Sequence, residues 1–134
     1  MSSTPAKDLH QRLEDHLLAL SLTRIAQSYR DVAAQAVKNN LSHLDFLDAL
    51  LADERAARFE RRVRRRLSRA RFPTQKDLAA FRWEHPAKID RPRILSLFDL
   101  DFIKQHRNAL FIGGTGLGKT HLAIALGVAA CRRG

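Results

Sequence analysis

The chain has 134 residues, 45% of them hydrophobic, which is enough for one modest folded domain and excludes a wholly disordered chain. Its formal charge of +10 favours polyanionic partners, with nucleic acid ahead of a membrane surface. The single cysteine, Cys131, excludes an internal disulfide and a cysteine zinc site. No apolar run reaches the ~18 residues of a membrane span, and the N-terminus carries no apolar signal core, so we expect a cytoplasmic protein with no membrane partner.

Two amphipathic helices are predicted before residue 41. Thr4 can cap the first, with Pro5 in its first helical position, and its apolar residues recur at threes and fours: Leu9, Leu13, Leu17 and Leu20. The second begins near residue 21 or 22 and ends at Asn39-Asn40, and one side of it is apolar: Ile25, Tyr29, Val32, Ala33 and Val37. We expect the apolar stripe of the second helix to pack on the first.

A third, long helix is predicted from Ser42 to about Ala70. Ser42-x-x-Asp45 is a start that resembles a capping box. At 1.5 Å per residue this helix would be roughly 40 Å long. Six apolar residues follow one face of it: Leu44, Leu47, Leu51, Phe59, Val63 and Leu67.

The second half of this helix is rich in arginine. Nine arginines lie between Arg55 and Arg71 against Glu60 alone, so this segment carries a net charge of +8. Arginine forks bind phosphate oxygens, which predicts contact with the DNA backbone, largely independent of base sequence because no base-reading motif is present. A solvated helix surface and an acidic face on a partner protein remain as alternatives. The candidate DNA contacts are Arg58, Arg61, Arg62, Arg65, Arg66 and Arg69.

Residues 73–107 are predicted to form a linker with short elements, because three prolines interrupt long helices: Pro73, Pro86 and Pro92. Thr74-x-x-Asp77 could start a brief helix, or Leu78–Trp83 could form a strand, and the sequence does not decide between them. Asp90–Phe98 and Leu100–Gln105 favour one or two short helices.

A glycine-rich loop stands between an apolar run at Asn108–Ile112 and a second apolar run at His121–Arg133. We predict a strand for the first run. For the second run we predict a helix that begins at Gly118 or Lys119 and continues through His121–Arg133. In that setting the intervening sequence G-x-x-x-x-G-K-[ST] indicates a phosphate-binding loop, also called Walker A. The predicted nucleotide-binding residues are Gly113, Gly114, Thr115, Gly116, Leu117, Gly118, Lys119 and Thr120.

The residue types of this loop fit ATP with Mg²⁺. Gly113, Gly116 and Gly118 allow left-handed backbone angles, so amide groups can surround phosphate oxygens at the positive end of the following helix. Lys119 would reach the β- and γ-phosphates, and the Thr120 hydroxyl would bind Mg²⁺. A glycine-rich turn without a ligand is the alternative.

Only one predicted helix follows the loop. One parallel strand and one helix cannot close a core, so we expect an N-terminal fragment or a truncated product of a larger ATPase. The acidic residue of Walker B, the group that orients water and the arginine finger would come later. We therefore do not expect ATP hydrolysis by this polypeptide alone, and no catalytic residue is assigned.

The order of these motifs resembles the IstB-like transposition helper ATPases, AAA+ proteins related to the DnaC helicase loader. The resemblance covers nearly the whole chain. It rests on the leucine-rich start, the arginine-rich helix and five stretches: Phe81-Arg82-Trp83, Lys88-Ile89-Asp90-Arg91, Leu100-Asp101-Phe102-Ile103, the run from Asn108 to Ala123, and Ala129 to Gly134. It implies an ATPase of bacterial insertion sequences that assembles on DNA and works with a transposase, as a homo-oligomer when full-length.

The expected fold is therefore mostly α. A helical N-terminal domain at 1–72 and the linker at 73–107 precede the first strand, phosphate loop and helix of a truncated P-loop α/β (AAA+) domain at 108–134. Two other functions remain open: a non-enzymatic, truncated adaptor that binds DNA or a partner, and a fragment of a DnaC-like helicase loader.

Overall fold

The computed structural model describes residues 8–84 and 88–134, and the predicted Thr4-Pro5 helix start and Pro86 lie outside them. The described residues form six helices and no strand, so the prediction of a mostly α chain is confirmed. Among these helices none is long and apolar enough to cross a bilayer. The helices are α1 Leu9–Ala19, α2 Thr23–Lys38, α3 His43–Ala70, α4 Arg91–Leu97, α5 Asp101–Lys104 and α6 Lys119–Arg133.

The chain divides into two compact units, Met1–Arg61 and Arg62–Gly134, and the division falls inside α3. The core of the first unit contains Ile25 and Tyr29 of α2 with Leu50 of α3, all buried. Around them lie half-buried apolar residues: Leu17, Leu22, Val32 and Phe46. The predicted packing of the second helix on the first is thus confirmed.

The start of α3 is the capping box that the sequence predicts. Ser42 Oγ accepts a hydrogen bond from the Asp45 backbone N–H at 3.1 Å, and Asp45 Oδ2 accepts one from the Ser42 N–H at 3.3 Å. Two backbone donors that the first turn of a helix leaves unpaired are therefore satisfied reciprocally. This exchange fixes the residue at which the long helix begins.

In the first unit, the face of α3 that packs is not the apolar face predicted from the sequence, although Val63 and Leu67 of that predicted face are half-buried further along the helix. Leu44, Leu47 and Leu51 are exposed. The packed face carries Phe46, Leu50 and Glu54, which are four residues apart and so lie above one another. Glu54 belongs to this packed face, and its carboxylate is bound to the start of α2.

Glu54 caps α2 from another helix. Leu22, the N-cap residue of α2, provides no side-chain hydrogen bond, and Glu54 Oε2 accepts from the N–H groups of Arg24 at 2.8 Å and Ile25 at 3.1 Å. The Glu54 residue is only 3% exposed. Burial raises the pKa of its carboxyl, but the hydrogen bonds from Ile25, Arg58, Arg24 and Arg61 outweigh burial and hold the pKa below its ordinary value.

The second unit is built around α6. Five residues of this helix are buried: Leu122, Ile124, Ala125, Leu126 and Val128. Phe72 packs so closely on Gly127 that a Cβ there would lie 2.8 Å from the ring. The predicted short helix at Asp90–Phe98 is confirmed as α4, which Asp90 caps by accepting from the Arg93 N–H at 3.0 Å. The predicted helix at Leu100–Gln105 is confirmed as α5.

Residues 74–84 form turns, neither the brief helix nor the strand that the sequence leaves open. Asp77 Oδ1 accepts from the backbone N–H of Ala80 at 2.9 Å, which closes a local turn. An aspartate that bonds to the backbone three residues ahead offers the chain an alternative to regular structure.

The strand predicted at Asn108–Ile112 is absent from the described residues, and this stretch is irregular. Leu110 is 82% exposed and Ile112 is 92% exposed. A strand needs a neighbouring strand to satisfy its backbone groups, and the described part of the chain provides none. The apolar composition of this run therefore does not produce a strand here.

Candidate functional site

The predicted phosphate-binding loop leads directly into α6. Its two glycines nearest the helix have left-handed backbones, with φ of 76° at Gly116 and 83° at Gly118. Residues with a Cβ rarely adopt these angles, so the structure gives the physical reason for glycine at both positions. Gly118 is also the N-cap residue of α6, which begins at Lys119, one of the two helix starts that the sequence predicts.

The loop and the first turn of α6 present a row of backbone donors. The first helical bond runs from the Leu122 N–H to the Gly118 carbonyl at 3.0 Å. Within the described residues, the backbone N–H groups from 114 to 121 have no acceptor. Unpaired N–H groups at the N-terminus of a 15-residue helix attract anions, because the helix dipole places positive charge there.

Two side chains at the start of α6 complete the loop. The Lys119 ammonium donates a hydrogen bond to the Gly114 carbonyl, so the lysine is folded back over its own loop. Thr120 is exposed, and its hydroxyl has no partner in the described chain. To contact a phosphate, Lys119 exchanges one neutral carbonyl for a charged oxygen, which is the stronger acceptor. These donors fit a nucleotide phosphate, and the Thr120 hydroxyl fits Mg²⁺.

An aromatic ring that the sequence analysis did not assign supports the loop. Phe81 is buried, and a Cβ added to Gly118 would lie 2.6 Å from its Cε2 atom. The same ring packs edge-to-face with His121, at 5.3 Å between ring centroids. Glycine at 118 is therefore required twice, by its backbone angle and by the space that Phe81 occupies. The contact joins residues 37 positions apart, and no local pattern predicts it.

The arginine candidates fall into two groups. Arg58 and Arg61 both bind the Glu54 carboxylate, at 3.0 Å and 3.1 Å. Arg58 also donates to the Ser21 carbonyl at 3.1 Å, and Arg61 donates to the Thr23 hydroxyl at 2.7 Å. These two side chains connect α3 to the turn between α1 and α2. Both side chains therefore take part in the fold of the first unit, although each remains more than 40% exposed.

The other four candidates form an exposed surface, which we call the arginine stripe: Arg62, Arg65, Arg66 and Arg69. None of them makes a hydrogen bond or ion pair with the residues that the structure describes. Their spacing of three, four and seven residues places all four on one face of α3. Four of the six predicted DNA contacts thus have no partner among the described residues, whereas Arg58 and Arg61 bind Glu54.

Comparison with known proteins adds an independent observation. A family model described as IstB-like ATP binding protein matches residues 15–134. The chain is 32% identical over 127 residues to a protein named for ATP binding in insertion sequence IS232 of Bacillus thuringiensis subsp. berliner, an alignment that covers 95% of this chain and 51% of the relative.

Two further relatives have similar names. One, from insertion sequence IS21 of Pseudomonas aeruginosa, is 36% identical over 122 residues, with 91% of this chain and 46% of the relative covered. The other, from insertion sequence IS5376 of Geobacillus stearothermophilus, is 32% identical over 126 residues, with 94% and 50% covered. The chain therefore spans about half the length of these curated relatives.

Proposed function

The chain belongs to the family of IstB-like ATP-binding proteins, and we propose that it binds ATP with Mg²⁺ through residues 113–120 and acts in the transposition of an insertion sequence. The observation that supports this most strongly is the row of unpaired backbone donors from 114 to 121, at the start of α6. The relatives named for ATP binding in insertion sequences supply the biological context. The proposal concerns binding and not hydrolysis.

Each group in the loop has a separate role in this proposal. The amides of the loop contact phosphate oxygens, and left-handed glycines let the backbone approach them. Lys119 leaves the Gly114 carbonyl and neutralises charge on the outer phosphates. The Thr120 hydroxyl binds the Mg²⁺ that accompanies the nucleotide. Residues 108–134 are the start of the AAA+ domain in this scheme, and copies of the full-length protein assemble with one another.

Replacing the loop lysine tests the proposal. In Lys119→Ala, the charge-assisted contacts of the ammonium are lost, and we expect MgATP to bind about 100-fold more weakly, which corresponds to ~2.8 kcal/mol. Isothermal titration calorimetry on the 134-residue chain measures this directly. Lys104→Ala is the matched control, because it removes an exposed lysine from the same unit, where Lys104 contacts only Asp101. Equal MgATP affinity of Lys119→Ala and the parent would contradict the assignment.

A second function, binding of DNA, is supported by the arginine stripe. Its four guanidinium groups are exposed and unpaired within the described residues. Guanidinium groups on one helix face suit the phosphates of a DNA backbone, without selecting a base sequence. An acidic face on the transposase is the other partner that this surface could contact.

Charge reversal distinguishes the stripe from the rest of α3. Arg66→Glu lies in the stripe, whereas Arg64→Glu changes an equally exposed arginine two positions away, on a different helix face. We expect Arg66→Glu to weaken binding to DNA of any sequence. The slope of log K against log salt concentration should become less steep by about 0.9 for each phosphate that the variant no longer binds. Fluorescence anisotropy with duplex DNA at several salt concentrations measures both quantities.

The triple variant at Arg62, Arg65 and Arg69, each changed to Glu, should enlarge the same effect. Equal losses in Arg64→Glu and Arg66→Glu would show that only net charge matters. Unchanged DNA binding in the triple variant would remove DNA as the partner of this face, and would leave two alternatives: an acidic protein surface as its partner, or a solvated helix surface.

A further inference from the structure

His121 connects the start of α6 to the turns at residues 74–84, within the second unit. Its Nε2 atom lies 2.8 Å from the backbone carbonyl oxygen of Asp77, 44 positions earlier in the chain. Because a carbonyl only accepts hydrogen bonds, Nε2 carries the proton and donates it to this bond. The same imidazole packs edge-to-face on Phe81, at 5.3 Å between ring centroids. One side chain of α6 therefore makes two contacts with the preceding turns.

The turns that His121 contacts are held by bonds of their own. Asp77 Oδ1 accepts a hydrogen bond from the Ala80 N–H at 2.9 Å, and the Leu78 carbonyl accepts one from the Phe81 N–H at 3.1 Å. Phe81 is also buried. Asp77 thus closes its turn with its side chain, while its backbone carbonyl is the acceptor for His121. That acceptor belongs to an ordered turn, so the bond to it restrains the imidazole and the helix that carries it.

The residue restrained in this way belongs to the row of backbone donors at the loop. His121 is the third residue of α6, and its own N–H is the last of the unpaired donors from 114 to 121. Phe81, its second contact, fills the space where a Cβ on Gly118 would lie. The bond to Asp77 and the packing of Phe81 therefore restrain the first turn of α6 at both of its ends.

We propose that His121 is a positioning residue for the nucleotide phosphates, because its hydrogen bond to Asp77 holds the first turn of α6 in the conformation that binds them. The inference rests on the proposed binding of ATP at residues 113–120. Donors that are already ordered lose less conformational freedom when a ligand binds, which raises the affinity. His121 acts through backbone amides and not on the base, so it strengthens the binding of any polyphosphate.

The alternative is a bond that only stabilises the fold. Such a bond changes the free energy of unfolding and leaves the affinity of the folded chain for phosphate unchanged. A positioning bond changes the affinity of the folded chain itself. Affinity measured on folded protein therefore separates the two roles.

Two substitutions of His121 separate its hydrogen bond from its ring. His121→Gln keeps a side-chain N–H donor with a reach similar to that of Nε2 and has no ring. His121→Phe keeps a ring that can pack on Phe81 and has no donor, and phenylalanine and histidine have similar helix propensities. Isothermal titration calorimetry on the parent and both variants measures the affinities for MgATP and for Mg²⁺ with inorganic tripolyphosphate. Circular dichroism under the same conditions checks that each protein is folded.

We expect His121→Phe to bind both ligands about tenfold more weakly than the parent, which corresponds to ~1.4 kcal/mol. His121→Gln should bind both ligands within about threefold of the parent, because it keeps the bond to the Asp77 carbonyl. Rescue by glutamine and not by phenylalanine is a result that packing of the ring alone would not produce.

A measurement on the parent chain needs no altered binding site. NMR of the imidazole nitrogens distinguishes a proton on Nε2 from one on Nδ1. The spectrum of His121→Gln identifies the signals of His121 among those of the six histidines. We expect Nε2 of His121 to carry the proton in the free chain, and to keep it after MgATP is added.

Three outcomes overturn the inference and leave ATP binding by the loop intact. They are an equal MgATP affinity of His121→Phe and the parent, equal losses of affinity in His121→Phe and His121→Gln, and a proton on Nδ1 alone in the parent. If His121→Phe does not fold, the position of the proton in the parent still decides. No binding of either ligand to the parent refutes the proposed ATP binding and this inference together, a pattern that differs from the other three.

Discussion

The two units of the chain differ in whether their largest group of cationic and backbone donors is paired within the protein. In the first unit, Glu54 is bound by Arg58 and Arg61. Other carboxylates there are paired too, Asp53 with Arg24 at 2.8 Å and Glu14 with Arg30 at 2.7 Å. In the second unit, the arginine stripe and the amides of the loop have no partner among the described residues.

The contrast is sharpest within α3, where arginines of one helix belong to different groups. Arg61 donates to Glu54, whereas the next residue, Arg62, is exposed and unpaired in the described chain. The density of positive charge is similar at both positions. The difference is that Arg61 has a carboxylate, that of Glu54, within hydrogen-bonding distance. The contrast indicates that the first group stabilises the fold and that the second is available to a ligand.

The largest effect that we expect in this comparison is on stability, in the first unit. Glu54→Ala removes the cap of α2 and the shared partner of two arginines, and should lower the free energy of unfolding by about 3 kcal/mol. Glu60→Ala removes an exposed glutamate from the same helix and should change it by less than about 0.5 kcal/mol. Urea denaturation followed by circular dichroism measures both. A small loss in Glu54→Ala would mean that the buried carboxylate does not hold the unit together.

A smaller effect should separate the two left-handed glycines of the loop. Gly116→Ala meets no atom within 4 Å, so only its backbone angle is strained, at about 1 kcal/mol. Gly118→Ala has the same strain and also meets the Phe81 ring, so we expect about 2 kcal/mol. Thermal unfolding of the two variants under the same conditions measures the difference between their free energies of unfolding. Equal losses of stability in the two variants would show that the Phe81 ring moves aside without a free-energy cost. The packing of Phe81 would then not fix the conformation of the loop.

The smallest expected effect concerns pH, because protonation removes charge from Glu54 and leaves its side chain in place. The folded pKa of this carboxyl is lowered from 4.5, so its contribution to stability is present above pH 4.5 and is lost as the pH falls through the folded pKa. Glu54→Gln cannot titrate at this position. Its free energy of unfolding should therefore fall less than that of the parent on acidification from pH 6 to pH 3. Parallel curves for the two proteins would contradict the lowered pKa.

The local features of the fold could be predicted from the sequence. The Ser42-Asp45 capping box, the short helix capped by Asp90 and the helix after the loop depend on residues a few positions apart. Left-handed glycines belong with them in part, because the sequence predicts such angles at Gly113, Gly116 and Gly118, and only Gly116 and Gly118 have a positive φ. These features depend on interactions between residues that are close in the sequence, so the local residue pattern is enough to predict them.

The features that could not be predicted depend on contacts between distant residues. Glu54 reaches backbone donors about thirty positions away, and its pattern in the sequence is that of an ordinary surface glutamate. On the face of α3 that carries Glu54, Leu50 is buried while Leu47 is exposed, and Arg58 and Arg61 bind the Glu54 carboxylate. The prediction of a strand at Asn108–Ile112 is wrong for a related reason, because a strand depends on a neighbouring strand that its own residues do not specify.

The Glu54 carboxylate occupies a site whose design the proposed phosphate-binding loop shares, since each offers backbone N–H groups at the start of a helix together with basic side chains. They differ in how the anion is supplied. Glu54 is tethered by the polypeptide itself, so its effective concentration at α2, on the order of millimolar or above, is unaffected by dilution. A phosphate on the loop has only the concentration of the free ligand. The first site is consequently a permanent part of the molecule, while occupancy of the second would report how much nucleotide surrounds it.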